Sequence, residues 1–225
     1  MIMQTLVVVA HPERVQSGTQ EFLQASAAPF KTVQWHELEA PFEKEAEQRQ
    51  LLTADRLILQ FPLYWYSAPA MLYQWLDDVW TEKFAVRAGN LNGKQLGIVV
   101  TTGVADQAYH AGEREGFTLD EILRPFQALA HKTGMTYLPL FPITQFGYQT
   151  DAQKQRLLVA YQRYLTEPYP RHFADTEKWF AEQLAQLAAD HPDYQLLLDQ
   201  FTKNADELEQ LNDTLQMMRQ NEEND

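Results

Sequence analysis

The sequence of 225 residues contains no cysteine, which excludes disulfide bonds, thiolate catalysis and cysteine-ligated metal sites together. It also lacks any apolar run near the ~20 residues that a membrane-spanning helix needs. The first residues enter a strand-like pattern without a basic region or a small-residue cleavage site, so no signal peptide is expected. With no export signal, the cytoplasm is the expected location, and we expect no membrane insertion.

Basic residues are scarce and unevenly placed. The formal net charge is -13; residues 1–165 carry 17 acidic and 14 basic side chains, whereas residues 166–225 carry 14 acidic and 4 basic ones. Binding to a phosphate backbone or an anionic membrane surface needs clustered basic residues. The charge pattern therefore argues against nucleic acid as a partner and predicts a nearly neutral body with a strongly acidic tail.

Strand-like and helix-like segments alternate five times through the first part of the chain. Apolar, β-branched runs predict strands at residues 5–10, 31–38, 55–61, 94–102 and 136–143. Helical spacing predicts helices at residues 18–27, 43–52, 68–80, 118–133 and 151–165. This alternation is typical of a parallel sheet with right-handed crossovers. We predict an α/β, flavodoxin-like three-layer domain over residues 1–165, with five strands in the order 2-1-3-4-5, although the alternation alone leaves other strand orders open.

Residues 166–225 predict an acidic helical extension. A proline-containing connector, TEPYPRH, leads into helices at residues 176–189 and 193–219, which are broken at His191-Pro192. In the second helix, apolar side chains recur at the spacing of a coiled-coil seam around Asn204, at Leu197, Phe201, Leu208, Leu211, Leu215 and Met218. Two interpretations remain open: the helix packs on its own domain, or it pairs with a partner or a second copy of the chain.

The loop after the first predicted strand has the sequence AHPERVQSGTQEF and contains neither GxGxxG nor a Walker lysine motif. Ser17, Gly18 and Thr19 lie where the next helix begins, so their hydroxyl and backbone N–H groups suit a phosphate, and His11 could donate to the same group. The alternative is structural, because serine is a common helix N-cap and a lone histidine often has no ligand.

An aromatic cluster follows the third predicted strand, before Ser67 and Pro69 open a helix. Consecutive aromatic residues at a strand end make a poor turn but a good wall for a flat, fused ring, and backbone amides there can meet its polar edge. The alternative is ordinary aromatic core packing. The buried face of the helix that follows is predicted to consist of Leu72, Trp75, Leu76 and Val79.

The fourth predicted strand ends at Thr101-Thr102-Gly103, where glycine permits a ligand to approach the backbone closely. A long irregular stretch containing Tyr109 and Glu115 follows, of the kind that often lines a site. Because ligands in open α/β sheets bind beyond the carboxyl ends of the strands, these loops predict one common site.

Together, these motifs resemble the NAD(P)H:quinone oxidoreductase family. The resemblance rests on HPxxxxS, on FPLYWYSxPAxLxxWLDxV, on TTG followed by Tyr109 and on RPFQALAHKTGMTYLPxF, between residues 5 and 165. Small bacterial members include general stress flavoproteins and ancillary subunits of potassium-efflux systems. The resemblance implies a flavodoxin-like fold, FMN as cofactor with FAD as the alternative, NAD(P)H as co-substrate and a homodimer.

The resemblance also implies roles for individual residues. The flavin phosphate and ribityl chain would be held by His11, Ser17, Gly18, Thr19 and Gln20. The ring would be lined, largely through main-chain atoms, by Leu63, Tyr64, Trp65 and Tyr66. Its pyrimidine edge would be bordered by Thr101, Thr102, Gly103 and Val104. The expected catalytic groups near that edge are Tyr109 and Glu115.

The chain departs from the family pattern at three of these positions. Asparagine is usual in the family where Gln20 stands, a second glycine where Val104 stands, and histidine where Glu115 stands. A carboxylate does not offset negative charge on a reduced flavin unless it is protonated. We assign no general base.

The sequence thus predicts an NAD(P)H dehydrogenase (quinone)-type oxidoreductase, which passes hydride through FMN to a quinone or another flat electrophile by a ping-pong mechanism. The competing hypothesis is a regulatory flavoprotein subunit that senses redox state and contacts a partner, such as a potassium-efflux transporter, through the C-terminal helices. A one-electron flavodoxin carrier is disfavoured, because such carriers usually have a shorter, hydroxyl-rich loop after the first strand. No basic cluster near the site selects NADH or NADPH.

Overall fold

The computed structural model describes residues 3–13 and 17–222. The chain divides into two compact units, residues 1–166 and residues 167–225. The first unit contains a parallel β-sheet with its helices, and the second consists of helices.

The sheet of the first unit is entirely parallel. Its strands are β1 (Thr5–Val9), β2 (Val33–Glu37), β3 (Arg56–Pro62), β4 (Gln95–Thr102), β5 (Thr136–Tyr137) and β6 (Phe141–Thr144). The order is β2-β1-β3-β4-β5, and β6 also pairs with β4, so β5 and β6 share the fifth position. The predicted flavodoxin-like fold class is confirmed. The predicted strand at residues 136–143 is interrupted between Tyr137 and Phe141, where the register against β4 shifts by one residue: Leu96 pairs with Tyr137, whereas Val99 pairs with Phe141.

Six α-helices belong to the described part of the first unit: α1 (Gly18–Ala27), α2 (Lys44–Thr53), α3 (Ala70–Val79), α4 (Leu119–Ile122), α5 (Arg124–Thr133) and α6 (Asp151–Thr166). The single helix predicted at residues 118–133 is wrong, since α4 and α5 are separate. Leu123, between them, has a non-helical ψ of 10°. Pro125 then lies at the start of α5, where its missing N–H group costs nothing.

The core of the first unit surrounds the central strands. β1 and β3 are buried along their whole lengths, as expected for strands covered on both faces. In α3, three of the predicted inward-facing residues are fully buried, namely Leu72, Trp75 and Val79, and Leu76 is partly buried against the core. These strands and α3 form the buried base from which the loops at the carboxyl edge of the sheet extend.

The second unit contains α7 (Phe173–Asp190) and α8 (Gln195–Glu222), which contact each other. A short 3₁₀ turn starting at Pro192 separates them, close to the predicted break. Within the predicted seam of α8, Phe201 is half-buried, whereas the remaining apolar members, Leu197, Leu208, Leu211, Leu215 and Met218, are exposed. None of the helices in the described ranges combines the length and apolar character needed to cross a membrane.

Candidate functional site

A cleft of about 270 Å³ lies at the carboxyl ends of the strands. It is lined by His11, Ser17, Thr19, Pro62, Leu63, Tyr64, Thr101, Thr102, Gly103, Ile143, Gln145, Phe146, Gly147 and Tyr148. The carboxyl ends of adjacent parallel strands meet at one edge, which brings residues distant in sequence to one place. The cleft therefore joins parts of all three loops that the sequence predicted as a site.

The N-terminus of α1 forms one end of this cleft. Ser17 is its N-cap, and its Oγ accepts a hydrogen bond of 3.4 Å from the N–H group of Gln20. The N–H groups of Gly18 and Thr19, in the first turn, have no intrahelical acceptor, and the helix dipole adds partial positive charge there. Ser17 thus has the structural N-cap role, and the same helix end can also receive an anion.

His11 follows β1 and lines the cleft beside this helix end. Its Nδ1 accepts the backbone N–H group of Glu13 at 3.2 Å. Burial lowers the pKa of His11, although Glu13 opposes the shift. The ring is therefore neutral at pH 7, and because Nδ1 is an acceptor, the proton lies on Nε2. His11 can donate one hydrogen bond to a ligand.

The residues after β3 form a tight turn that is unusual for their side chains. The backbones of Tyr64 and Ser67 exchange two hydrogen bonds of 2.9 Å, and between them Trp65 and Tyr66 have φ values of 47° and 60°. Positive φ at both central residues defines a type I′ turn, which asparagine and glycine normally form. For other residues such a conformation costs about 1–3 kcal/mol each.

This turn decides which residues of the aromatic loop face the cleft. Leu63 and Tyr64 line it together with Pro62, whereas Trp65 and Tyr66 are not part of its lining. Trp65 is 94% exposed. The wall that the sequence predicted is therefore formed by Pro62, Leu63 and Tyr64.

Tyr66 instead contacts Glu115, in the loop that follows β4. The Tyr66 hydroxyl donates to Glu115 Oε2 at 2.8 Å, and Arg114 donates to Glu115 Oε1 through two nitrogens at 2.9 and 2.7 Å. The hydrogen bond from Tyr66, reinforced by Arg114, lowers the pKa of Glu115. The same bond to Glu115 raises the pKa of Tyr66. Glu115 is therefore an ionised carboxylate at pH 7, and it lies outside the cleft lining.

Thr102 links the cleft to Tyr109 and Val104. The Tyr109 hydroxyl lies 3.0 Å from Thr102 Oγ1, and the Val104 N–H group donates to the same oxygen at 3.1 Å. Tyr109 is 4% exposed and lines a different cavity, of about 350 Å³. Of these three residues, only Thr102 lines the cleft, and the other two contact its hydroxyl oxygen.

Gln20 is placed in the core and does not line the cleft. Its side chain is 2% exposed. Gln60 Nε2 donates to Gln20 Oε1 at 2.6 Å, and the Tyr161 hydroxyl donates to Gln60 Oε1 at 2.7 Å. The side chain of Gln20 is therefore part of a buried polar network through its Oε1, whereas its Nε2 is buried without a hydrogen-bond partner among the described residues.

The loop after β6 completes the cleft, and the sequence analysis missed it. Gln145 has a φ of 48°, and Tyr148 is 85% exposed at the rim. Phe146 lies between them and packs on Phe22 of α1, with ring centroids 5.1 Å apart. The sequence signal that could have identified this loop is the aromatic–glycine–aromatic triplet at residues 146–148. It follows the last strand, so the loop lies at the same edge of the sheet as the others.

Comparison with known proteins agrees with this architecture. Residues 3–166 match the model of a family described by its flavodoxin-like fold. The chain therefore belongs to this flavodoxin-like family.

Three relatives illustrate which proteins the chain is similar to. The crystal structure of a protein named NADPH-quinone reductase from P. pentosaceus is 55% identical, with a TM-score of 0.72, and the match covers 73% of this chain and 98% of that one. General stress protein 14 of Treponema denticola, solved in complex with FMN, is 29% identical with a TM-score of 0.66, and the match covers 72% of this chain and 97% of that one. The glutathione-regulated potassium-efflux system ancillary protein KefG of Pectobacterium atrosepticum is 32% identical over 173 residues, which are 73% of this chain and 94% of KefG. The resemblance identified from the motifs is confirmed, and with it the assignment to the oxidoreductases.

Proposed function

We propose that the chain is a flavin-dependent NAD(P)H oxidoreductase, which binds FMN in the cleft at the carboxyl ends of the strands and reduces quinones or similarly flat electrophiles. One observation carries this proposal. The cleft joins a helix N-terminus at Ser17 and Thr19 to the apolar wall of residues 62–64 and to the strand end at residues 101–103. A flat ring with a polar edge and a phosphate needs these three environments together.

The residues present fit each part of that molecule. Ser17, Thr19 and the first-turn N–H groups of α1 would hold the phosphate, with His11 Nε2 as a further donor. The wall of residues 62–64 would contact the ring. A Cβ built at Gly103 would meet no atom within 4 Å, so the backbone there is open to the polar edge of a ligand. When bound, the flavin supplies two-electron transfer between NAD(P)H and the acceptor.

Tyr109 would then be a positioning residue that acts through Thr102. Its hydroxyl contacts Thr102 Oγ1, which also accepts the Val104 N–H group. These two contacts fix the direction in which the Thr102 hydroxyl group faces the cleft. Val104, which was expected to border the pyrimidine edge, would therefore act through Thr102 as well.

The rim of the cleft bears on the order in which NAD(P)H and the electron acceptor bind. Tyr64 and Tyr148 are 42% and 85% exposed, so the outer side of the cleft is open to solvent. We infer that NAD(P)H and the electron acceptor use this one open side in turn, which is a ping-pong mechanism. Initial rates measured against both substrates should give parallel lines in double-reciprocal plots; intersecting lines would contradict this order.

The test of the proposed function is the visible spectrum of the full-length protein. We expect it to take up FMN more tightly than FAD, to lose its flavin absorbance when NADH or NADPH is added, and to regain it when a simple quinone follows. A protein that takes up neither flavin would overturn the proposal. Sedimentation of the same sample tests the homodimer that the family resemblance implies.

A second candidate function is a regulatory flavoprotein subunit with a protein partner. It is favoured by the relative named as an ancillary protein of a potassium-efflux system and by the exposed apolar residues of α8, such as Leu211 and Leu215. Replacing both leucines by glutamine separates the candidates. If the variant keeps its quinone turnover but no longer associates with a partner or a second copy of the chain, α8 is an interaction module. If turnover is lost, α8 is part of the enzyme.

A further inference from the structure

The hydrogen bond between Tyr66 and Glu115 connects two loops that border the proposed flavin site. Tyr66 belongs to the type I′ turn after β3, and Glu115 belongs to the loop between β4 and α4. Each loop also contributes cleft-lining residues, Leu63 and Tyr64 from one and Gly103 from the other. A contact between the two loops therefore links two segments that both line the cleft.

The turn after β3 needs an external restraint. Both of its central residues, Trp65 and Tyr66, have left-handed backbones, and such conformations persist only where the surrounding structure holds them. Trp65 is 94% exposed and Tyr66 is 50% exposed, so burial contributes little at these two positions. At the base of the turn, Ser67 Oγ lies 3.0 Å from the Tyr73 hydroxyl. At its tip, the restraint is the hydrogen bond from Tyr66 to Glu115.

Glu115 is well placed to provide this restraint, because its own position is fixed. Its backbone N–H group donates to Ala108 at 3.1 Å. Its Oε1 is held by Arg114, and its side chain is only 11% exposed, compared with 72% for Arg114. The Oε2 atom of Glu115 is therefore held close to Tyr66, and forming their hydrogen bond costs little further side-chain conformational entropy. Ala108 is followed in the chain by Tyr109, and the Tyr109 hydroxyl contacts Thr102, so Glu115 is linked to the cleft through these residues.

We propose that Glu115 is a positioning residue of the flavin site: its carboxylate holds the Trp65–Tyr66 turn against the loop after β4, and this keeps bound FMN from leaving. The inference rests on the proposed function for its ligand, but the restraint itself is a property of the protein alone. It also gives Glu115 a role that needs no transfer of a proton to or from the flavin.

The experiment compares Tyr66→Phe, Glu115→Ala and their double variant with the wild-type protein. We expect either single substitution to raise the FMN dissociation rate about tenfold, and the double variant to dissociate no faster than the worse single variant, because both remove one interaction. Glu115→Gln keeps an acceptor oxygen for Tyr66, so its FMN dissociation rate should stay close to that of the wild type. Glu113→Ala is the matched control, because it removes an equal charge from the same loop, where Glu113 contacts Gln107.

A second readout needs no flavin. Proteins labelled with 5-fluorotryptophan are examined by ¹⁹F NMR, with the Trp65 resonance assigned by Trp65→Phe. Trp65 is the tryptophan in the turn, whereas Trp75, Trp80 and Trp179 are buried. Tyr66→Phe and Glu115→Ala should shift or broaden its resonance, and Glu113→Ala should not.

FMN binding and the Trp65 resonance test the proposed function and the restraint by Glu115 separately. If the wild-type protein takes up no flavin, the proposed function fails, but the Trp65 resonance still decides whether Glu115 restrains the turn. An unchanged resonance in both single variants would overturn the restraint. FMN dissociation rates within twofold of the wild type, or additive effects in the double variant, would overturn the role of Glu115 in retaining FMN.

Discussion

Trp75 donates its indole N–H group to Glu47 Oε2 at 2.8 Å. The same carboxylate lies 3.0 and 2.8 Å from His36 Nε2 through its two oxygens. Trp75 is completely buried, and Glu47 is 8% exposed. Because these residues belong to α3, α2 and β2, one carboxylate ties together three elements, including the helix that directly follows the aromatic turn.

This contact predicts an acid-sensitive contribution to stability. Burial by itself would raise the pKa of Glu47, but hydrogen bonds from His36 and Trp75, with the attraction of His36, outweigh it and leave the pKa below 4.5. A carboxyl whose pKa is lowered by folding stabilises the native state above its unfolded pKa, and this contribution disappears as the pH falls through the native pKa. Glu47→Gln should therefore cost about 1–3 kcal/mol of unfolding free energy at neutral pH.

Urea denaturation over a pH series checks this expectation. The difference between the wild type and Glu47→Gln should be constant near neutrality and should shrink below pH 4.5, the ordinary pKa of glutamate. Glu45→Gln, an exposed neighbour in the same helix, is the control and should change stability little. A difference between wild type and Glu47→Gln that does not vary with pH would contradict the expectation.

Gly97, in the middle of β4, leaves room for two buried side chains. A Cβ at this position would lie 2.5 Å from the Tyr164 hydroxyl oxygen and 2.6 Å from Ile58 Cδ1. Tyr164 cannot move freely, since its hydroxyl donates to the carbonyl of Pro139 at 2.9 Å. Gly97→Ala should destabilise the protein by about 1–3 kcal/mol, as overpacking does. Thermal unfolding measures the loss, and Gly147→Ala, where a Cβ meets no atom within 4 Å, should show none.

The order and type of the elements were predictable, because β-branched buried runs and helical spacing are local properties of the sequence. The two errors in the first unit have different causes. Pro125 has no N–H group with which a helix from α4 could continue, so α4 and α5 are separate, and this break could have been recognised from the sequence. At the fifth strand position, the register against β4 shifts by one residue between the pairs Leu96–Tyr137 and Val99–Phe141, and local sequence preferences do not predict such a shift.

The side-chain directions at the site were less predictable. The strand-end rule located the loops, but Trp65 and Tyr66 are not among the residues that line the cleft, and both adopt left-handed backbones, which residue preferences do not predict. Gln20 turns into the core because its hydrogen-bond partner is Gln60, which Tyr161 in turn contacts. Partners so distant in sequence become known only when the fold brings them together.

The phosphate end of the cleft predicts a difference between two flavins. Thr19→Ala and His11→Ala each remove one donor from the site where we place the phosphate, so FMN affinity should fall about tenfold, as for a hydrogen bond to a charged group. Riboflavin carries no phosphate, and its weaker binding should change less than twofold. Calorimetric titration measures both ligands. Gln24→Ala, at an exposed position of α1, is the control; equal losses for FMN and riboflavin would place the phosphate elsewhere.

Tyr109→Phe tests whether this buried residue acts through Thr102. Phenylalanine keeps the packed ring, which is 4% exposed in the native protein, and removes only the hydroxyl that lies 3.0 Å from Thr102 Oγ1. Without this partner only the Val104 N–H group, among the described residues, still holds the Thr102 hydroxyl oxygen, so flavin reduction should slow about three- to tenfold, the cost of one hydrogen bond, while the FMN dissociation constant changes little. Stopped-flow reduction by NAD(P)H measures the rate. Thr102→Val should slow reduction to the same extent, with no further loss when the two substitutions are combined. Additive losses would show that Tyr109 and Thr102 act separately, and an unchanged rate in Tyr109→Phe would leave Thr102 without a positioning residue.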